Sequence, residues 1–400
     1  MGMTMDEESR PRAIREILTL RYWTALRQGR AFSAADFEPG DSTEVIGDLI
    51  IRHIKGLDLK SACVALSGGV DSTLALVMLR AAMPDAKIDA VSVRFADSAD
   101  ETGVASRTAE LFDADHHVIE ADDYLGDLPK AIGITGLPFW DNHWYHVARE
   151  ARRFSPTVVS GDGGDELFGG YTFRYSKFLA GYSPSMSPRE RAELYMDCHQ
   201  RDWVPDQIEL FGQKARFGWD AIYSGIVPYF ENRLAPLDQV FLADINGKLP
   251  CNWRPLNAAF NGHFGLQSVT PILADELVEY ATHLSNGSKY DQKTGVGKLP
   301  LRRLLEERGG PGLVVPGKQG FSVDTKGLWG SHGRELCGQY LEDSRAVRDG
   351  WINREWIAKH LHRPEPDIRY INKMLGLLAL EIWYRIFVTK ETGANETIGV

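Results

Sequence analysis

The chain has 400 residues and a formal net charge of −10, with 43% apolar and 25% charged residues. This composition is typical of a soluble globular protein long enough for two domains, and its acidic balance argues against a general nucleic-acid surface. No apolar run approaches the roughly 20 residues that a membrane-spanning helix requires. The N-terminus carries Asp6, Glu7 and Glu8 and has no apolar signal core. We therefore expect a cytoplasmic protein with neither a nucleic-acid nor a membrane partner.

The predicted elements begin with a sheet-forming part. An amphipathic helix is predicted over residues 14–26, with Ile14, Ile17, Leu18 and Tyr22 on one face. From Asp58 to about Gly170, strands alternate with helices. Strands are predicted over residues 62–66, 88–95, 117–121 and 157–160, and helices over residues 72–82, 101–112 and 143–154. This alternation predicts an α/β fold, in which a parallel sheet is flanked by helices and ligands bind at the carboxyl ends of the strands.

After Tyr171 the pattern becomes largely helical, with long loops between the helices. Ser187, Pro188 and Glu190 form a strong helix start, because they suit the N-cap, first and third helical positions respectively. We expect a largely helical C-terminal part.

Cysteine and histidine form no recognisable metal site in this sequence. The cysteines stand far apart and form no C-x-x-C pair, so neither a disulfide framework nor a zinc site is expected. They are Cys63, Cys198, Cys251 and Cys337. His116 and His117 begin a predicted strand and point to opposite faces, whereas His143 and His146 share a helix face without an obvious further ligand. We expect structural roles for all four histidines.

A glycine pair separates the first predicted strand of the sheet from the helix that follows it. Gly68 and Gly69 let backbone N–H groups close around a phosphate at the helix N-terminus, where the helix dipole also favours anions. The nucleotide loop of kinases and GTPases carries a Lys-Ser/Thr pair after its second glycine, but here Val70 and Asp71 follow. An acidic residue suits such a loop if it holds a magnesium ion that the phosphates share.

A second glycine-rich turn follows the predicted strand over residues 157–160. Residues 160–171 read Ser-Gly-Asp-Gly-Gly-Asp-Glu-Leu-Phe-Gly-Gly-Tyr, with the carboxylates of Asp162, Asp165 and Glu166 close together. Carboxylates at such spacing repel one another and cost stability, so their presence together indicates a bound cation or a catalytic task. This turn is therefore a candidate for metal binding or catalysis.

Together these segments resemble a known family. Ser67 to Ser72 resembles the pyrophosphate (PP) loop of N-type ATP pyrophosphatases, which have an adenine nucleotide alpha hydrolase-like fold. With the acidic turn, the chain resembles the synthetase domain of asparagine synthetases and their relatives, the β-lactam synthetases and lasso-peptide cyclases. Weaker matches continue the resemblance to about residue 387: Val91–Phe95, Lys298 with Leu301 and Arg302, Pro316–Phe321 around Lys318, and Leu377–Phe387. It implies an N-terminal extension over 1–42, a synthetase-like domain over 43–390 and a tail over 391–400.

The resemblance also implies the chemistry and the site. A carboxylate attacks the α-phosphorus of ATP, pyrophosphate leaves, and an amine displaces AMP from the acyl-adenylate. The implied cofactors are ATP and Mg²⁺. By match to family positions, Asp71 and Asp165 are magnesium ligands, and Lys318, Lys298 and Asp162 are catalytic. The implied nucleotide-binding residues are Leu66, Ser67, Gly68, Gly69, Val70, Asp71, Ser72, Val93, Ser160 and Gly161.

The sequence departs from asparagine synthetases at two places. Asp162 stands where those enzymes often have Glu and β-lactam synthetases have Tyr, so it either takes the amine proton or only orients the loop. Between Leu256 and Asp275 the charged pairs of asparagine synthetases are absent, and Asn257 lies in that segment. Apolar and amide side chains there favour an acceptor that is larger or less charged than aspartate.

The possible functions differ in which compound supplies the nitrogen of the amide. Residue 2 is Gly2, where glutamine-dependent enzymes have a nucleophilic cysteine, and the short N-terminal stretch leaves no room for a glutaminase. The expected function is an ATP-dependent amide-forming ligase that acts on a small-molecule or peptide acid. Ammonia, free or from a separate amidotransferase or carrier partner, would give a primary amide, and an amine on the substrate would close a ring. A non-catalytic binding protein and a tRNA-modifying enzyme remain alternative functions, the latter disfavoured by the acidic charge. The sequence is also compatible with a homodimer.

Overall fold

The computed structural model describes residues 5–37, 45–95, 102–121, 123–310, 312–313 and 323–399. Its centre is a five-stranded parallel sheet with strand order β3-β2-β1-β4-β5. The strands are β1 Ser61–Ala65, β2 Lys87–Phe95, β3 Asp115–Ala121, β4 Thr157–Val159 and β5 Gln267–Val269. A separate antiparallel hairpin consists of β6 Tyr290–Asp291 and β7 Val296–Gly297. The predicted fold class, a parallel sheet flanked by helices, is confirmed.

Helices cover both faces of the sheet and make up most of the described chain after β4. They are α1 Arg10–Leu20, α2 Ile46–Gly56, α3 Val70–Ala82, α4 Thr102–Leu111, α5 Leu128–Thr135, α6 His143–Ala151, α7 Gly164–Phe168, α8 Thr172–Gly181, α9 Pro188–Asp197, α10 Gln207–Leu210, α11 Trp219–Tyr223, α12 Pro236–Asn246, α13 Arg254–His263, α14 Asp275–His283, α15 Asn286–Lys289, α16 Leu299–Gly309, α17 Thr325–Leu328, α18 Arg334–Leu341, α19 Arg345–Arg348, α20 Arg354–Leu361 and α21 Ile368–Phe387. Short 3₁₀ turns lie at Thr24–Leu26, Ala34–Asp36, Gln213–Ala215, Val227–Tyr229 and Pro271–Leu273, and π-helical turns lie at Leu249–Trp253 and Trp329–Gly333.

The strand β1 explains why the core has two parts. Its side chains alternate between the faces of the sheet, as in any strand. Cys63 and Ala65 join one apolar cluster, which also contains the buried faces of α1, α5, α6 and α21. Ala62 and Val64 join the other cluster, which contains residues of α2, α3, α12 and α16. A strand buried on both faces has to be apolar throughout, and this is the pattern from which β1 was predicted.

The four predicted strands are present within one or two residues at each end, but β5 was not predicted. Gln267 and Ser268 are exposed, and only Val269 of this strand is buried. The strand is recognisable by its pairing with β4, in which Val158 lies opposite Ser268. A three-residue polar edge strand lacks the apolar run that predicts a buried strand.

The predicted first helix is shifted toward the N-terminus. Helix α1 ends at Leu20, because Arg21 adopts a left-handed conformation with φ 59°. The placement of Tyr22 on its apolar face is therefore wrong, although Ile14 and Ile17 are buried as predicted. Helix α5 was not predicted. The helix start at Ser187 is confirmed, since its side chain accepts a hydrogen bond from the backbone N–H of Glu190 in a capping box.

The four cysteines and the neighbouring His116 and His117 lie in surroundings typical of structural residues. The four cysteines are free and buried. His116 hydrogen-bonds through Nε2 to Ser92 Oγ at 2.8 Å. His117 instead bonds to Asp89 at 2.9 Å and stacks on Phe154. The two neighbouring histidines thus have separate structural partners.

Helix α21 ties the C-terminal part to the rest of the molecule. It begins at Ile368 rather than near Leu377, and it is buried along most of its length. Lys373 on this helix donates hydrogen bonds to the backbone carbonyls of Leu18 and Asp202, which joins α21 to the end of α1. Beyond it, Ile398 is buried and its N–H donates to the carbonyl of Gly126. None of the helices in the described ranges is both long and apolar enough to cross a bilayer.

A buried carboxylate on α21 holds the start of α19. Glu381 is fully buried and accepts hydrogen bonds from Ser344 Oγ at 2.7 Å, from the backbone N–H groups of Arg345 and Ala346 at 3.0 and 3.2 Å, and from Arg385 Nε at 2.7 Å. The first N–H groups of a helix have no partner within the helix; here Glu381 accepts from two of them, and Ser344 Oγ accepts from the N–H of Val347.

We predict that Glu381→Leu lowers the free energy of unfolding by about 3–5 kcal/mol, because it removes a fully buried carboxylate that accepts from the largely buried Arg385 Nε, from Ser344 Oγ and from two backbone N–H groups. Urea denaturation followed by circular dichroism measures the change. Glu307→Leu, which makes the same replacement at an exposed position of α16, is the control. Equal stability of the two variants would contradict this account of α19.

Candidate active site

Three segments meet beside the carboxyl ends of β1 and β4. These strands are parallel neighbours, with Val64 opposite Val159, so the loops that follow them leave the same edge of the sheet. The loop after β1 leads into α3, and the loop after β4 leads into α7. The third segment is the β6–β7 hairpin, which ends at Lys298 directly before α16.

The loop after β1 is compact and closes on its own serine side chains. Gly68 has φ +74°, a conformation that glycine adopts without steric penalty. The N–H of Ser67 donates to Ser72 Oγ at 3.1 Å, and the N–H of Gly69 donates to Ser67 Oγ at 3.3 Å. The loop thus leads directly to the N-terminus of α3, a 13-residue helix, and such a terminus attracts anions.

Lys298 joins the two loops electrostatically. Its Nζ lies 2.5 Å from Asp71 Oδ2 and 2.9 Å from Asp165 Oδ1, and the three side chains are only 13–18% exposed. Burial alone would lower the pKa of Lys298, but the charges of Asp71 and Asp165 outweigh it and raise that pKa above its usual value. The ammonium group therefore stays charged and holds the two carboxylates together.

The backbone of Lys298 is unusual as well. Its φ of 56° is left-handed, which costs a non-glycine residue roughly 1–2 kcal/mol. Its N–H donates to the carbonyl of Phe168, and its carbonyl accepts from the N–H of Arg302. The preceding residue has to be small, because a Cβ at Gly297 would lie 2.0 Å from the carbonyl oxygen of Gly169. Strained residues of this kind persist where surrounding contacts fix them, often at functional sites.

Glycines in the acidic turn make room for the carboxylates. A Cβ at Gly161 would lie 2.5 Å from the carbonyl carbon of Asp71, and a Cβ at Gly164 would lie 2.3 Å from Asp71 Oδ1. A Cβ at Gly170 would lie 1.9 Å from Asp165 Oδ1. These contacts are too short for a Cβ, so glycine at these three positions follows from their packing against Asp71, Asp165 and Lys298.

Asp162 points to a different part of the site. Its Oδ2 accepts hydrogen bonds from Ser160 Oγ and from Asn257 Nδ2 on α13, each at 3.1 Å. Burial raises the pKa of Asp162; these two hydrogen bonds oppose the rise, and the charges of Asp71 and Asp165 add to it. The contact with Asn257 was not predicted, although the sequence did mark that segment as divergent.

The third carboxylate of the turn faces the interior. Glu166 is buried and accepts a hydrogen bond of 2.5 Å from the hydroxyl of Tyr171. Burial and the charge of Asp165 raise the pKa of Glu166, against the effect of that hydrogen bond. The guanidinium of Arg174 lies 4.1 Å from the centre of the Tyr171 ring and 3.7 Å from Asp244. Glu166 therefore belongs to a buried network behind the site rather than to the site itself.

The other predicted residues lie around this centre or outside the described residues. Leu66 and Val93 are buried near the carboxyl ends of β1 and β2, where the N–H of Leu66 donates to Val91 and its carbonyl accepts from Ser92 Oγ. Val70 opens α3. Lys318 and the loop Pro316–Phe321 lie outside the described residues, so their predicted role stays a prediction.

The residues present fit a cation shared with phosphates. Within the described residues, no group of three or more His, Cys, Asp or Glu side chains is arranged to hold a metal ion. Magnesium, however, is usually held by one or two carboxylates together with phosphates and water. Asp71 and Asp165 are two such carboxylates, and the ammonium of Lys298 already occupies a cation position between them.

Comparisons with known proteins agree with the geometry. The family model of asparagine synthase matches residues 58–385. The chain is 34% identical over 137 residues to a putative glutamine-hydrolyzing asparagine synthetase of Mycobacterium bovis, covering 32% of this chain and 20% of that protein. It is 35% identical over 158 residues to the glutamine-hydrolyzing asparagine synthetase 1 of Bacillus subtilis, covering 36% and 24%. The matches thus span less than a quarter of the length of these relatives.

Among solved structures, NMN synthetase from Francisella tularensis aligns with 58% of this chain and 99% of its own, at 13% identity and a TM-score of 0.25.

The family match takes in every part of the site described above. It begins just before β1, includes both glycine-rich loops, α13 and Lys298, and ends within α21. The resemblance predicted from the sequence motifs is confirmed. The chain belongs to the asparagine synthase family.

Proposed function

We propose that the protein is an ATP-dependent amide-forming ligase. It adenylates a substrate carboxylate, releases pyrophosphate and transfers the acyl group to ammonia or to an amine. The observation that carries the proposal is the meeting of Asp71, Asp165 and Lys298 beside the N-terminus of α3. Two carboxylates for a cation, one ammonium and one helix N-terminus match the charges of a triphosphate with its magnesium ion.

Each residue then has a defined task. The loop from Ser67 to Ser72 binds the departing pyrophosphate, while Asp71 and Asp165 would hold magnesium. When bound, magnesium would neutralise the negative charge that develops on the phosphates during adenylation. By family resemblance, Lys318 stabilises the pentavalent phosphorus and then the oxyanion.

The surroundings of Asp162 bear on the acid and the amine. Its bonded neighbours, Ser160 and Asn257, are neutral, and Ser160 also contacts the hydroxyl of Thr270 at 3.4 Å. A neutral polar lining suits an acceptor less charged than aspartate. We assign Asp162 the removal of a proton from the attacking amine. The amine is ammonia, free or delivered by a separate amidotransferase, or a group of the same substrate, in which case a ring closes.

Pyrophosphate release tests the proposal. With ATP, magnesium and a panel of carboxylic acids, we expect release that depends on one class of acid. Asp71→Asn should lower it by about 100-fold, since a group that stabilises transition-state charge contributes on that scale. Asp85→Asn, the same replacement at an exposed position just after α3, should leave it unchanged.

The outcomes separate the alternatives. Acid-dependent release that fails without ammonium identifies an ammonia-dependent synthetase, and product formation without ammonium identifies a cyclase or amine ligase. Absence of release with every acid, together with absence of ATP binding, would favour a non-catalytic member of the family.

The assignment of Asp162 predicts a separation of the two half-reactions. Asp162→Asn should keep acid-dependent pyrophosphate release but slow amide formation by about 100-fold, because general bases contribute at least that much. Hydroxylamine, which is largely unprotonated at neutral pH, should still trap the acyl-adenylate as a hydroxamate. Asn257→Leu should show the same separation more weakly. If Asp162→Asn slows pyrophosphate release and hydroxamate formation equally, then Asp162 orients the loop rather than accepting the proton.

A further inference from the structure

The position of Lys298 has a consequence for how the site is filled. Its ammonium lies at hydrogen-bond distance from a carboxylate in the first turn of each helix that follows a glycine-rich loop, Asp71 of α3 at 2.5 Å and Asp165 of α7 at 2.9 Å. Two carboxylates brought this close repel each other unless a cation lies between them. In the protein without ligand, that cation is part of the chain.

We propose that Lys298 is the resident cation of the Asp71–Asp165 pair, and that the pair therefore binds a divalent cation weakly unless a polyphosphate is bound with it. The inference depends on the proposed function only in taking these two aspartates as the cation ligands. It adds a second state of Lys298, in which its ammonium leaves the carboxylates for phosphate oxygens.

The exchange is unfavourable for a divalent cation alone. To reach both carboxylates, the ion has to displace an ammonium that is held by two ion pairs and belongs to a side chain only 13% exposed. The displaced ammonium would lose both partners in a largely buried place, which carries a large desolvation penalty. A bound polyphosphate removes that penalty, because its oxygens supply new anionic partners within reach of the same side chain.

The structure allows this exchange without rearrangement of the loops. The backbone of Lys298 is fixed by its bonds to Phe168 and Arg302, while the four-carbon stem of the side chain has freely rotating bonds. Only the side chain has to turn. Because coupling between two ligands is reciprocal, polyphosphate then strengthens cation binding by the same factor by which the cation strengthens polyphosphate binding.

Binding of Mn²⁺ without nucleotide tests the proposal. The probe is Mn²⁺ titrated into the full chain, with free Mn²⁺ measured by electron paramagnetic resonance. We expect Lys298→Met to bind Mn²⁺ about tenfold more tightly than the natural chain, because its carboxylates have lost their resident cation. Lys293→Met is the matched control, since it removes the same charge at an exposed position in the β6–β7 turn. Lys298→Gln is a second variant, and thermal unfolding establishes that each variant is folded.

Adding Asp71→Asn to Lys298→Met should abolish the gain if the ion binds at this pair. A gain of less than threefold over Lys293→Met in the folded Lys298 variants overturns the proposal, as does a gain that survives Asp71→Asn. The titration uses neither acid nor amine, so its failure is distinct from a failure to observe pyrophosphate release. Inorganic pyrophosphate, added to the natural chain, should raise its affinity for Mn²⁺ and should do so much less in Lys298→Met.

Discussion

The ion pairs of Lys298 with Asp71 and Asp165 are the interaction on which the site depends. They join three segments that are far apart in the chain: the loop after β1, the loop after β4 and the hairpin before α16. The parallel pairing of β1 with β4 brings the first two together, and the left-handed backbone of Lys298 aims the third at them. Glycines at the contact surfaces are required because these loops approach more closely than side chains would permit.

The acidic turn shows how one short segment supplies three carboxylates with different tasks. Asp165 bonds to Lys298, Asp162 bonds to Asn257, and Glu166 turns inward to Tyr171. Residues 165 and 166 lie in the first turn of α7, where successive side chains point in different directions around the helix. The three carboxylates thereby lie in separate environments, although burial and the charge of Asp165 still raise the pKa of Glu166 to about 8.

Sequence reasoning succeeded where local pattern determines structure. The strands β1 and β4 are largely apolar because both of their faces are buried, and both glycine-rich turns follow the ends of these strands. Sequence reasoning failed where pairing with distant residues, or a single backbone conformation, determines the local structure. Strand β5 is polar and exists by its pairing with β4, and α1 ends at a left-handed Arg21 that periodicity does not reveal. The contact between Asp162 and Asn257 spans 95 positions, and family motifs predicted Lys298 as a site residue without predicting its carboxylate partners.

Residues from both ends of the chain pack against the region that matches the family model, so that region would expose apolar surface if it were produced alone. The family match covers 58–385, yet Ile14, Ile17 and Leu18 of α1 belong to the same apolar cluster as α21, and Ile398 is buried in it as well. A fragment trimmed to the matched range would leave that face of the closing helix open to water. Exposed apolar surface of this kind promotes association between molecules, so the trimmed fragment would tend to aggregate, and its solubility would be a poor guide to the behaviour of the intact fold.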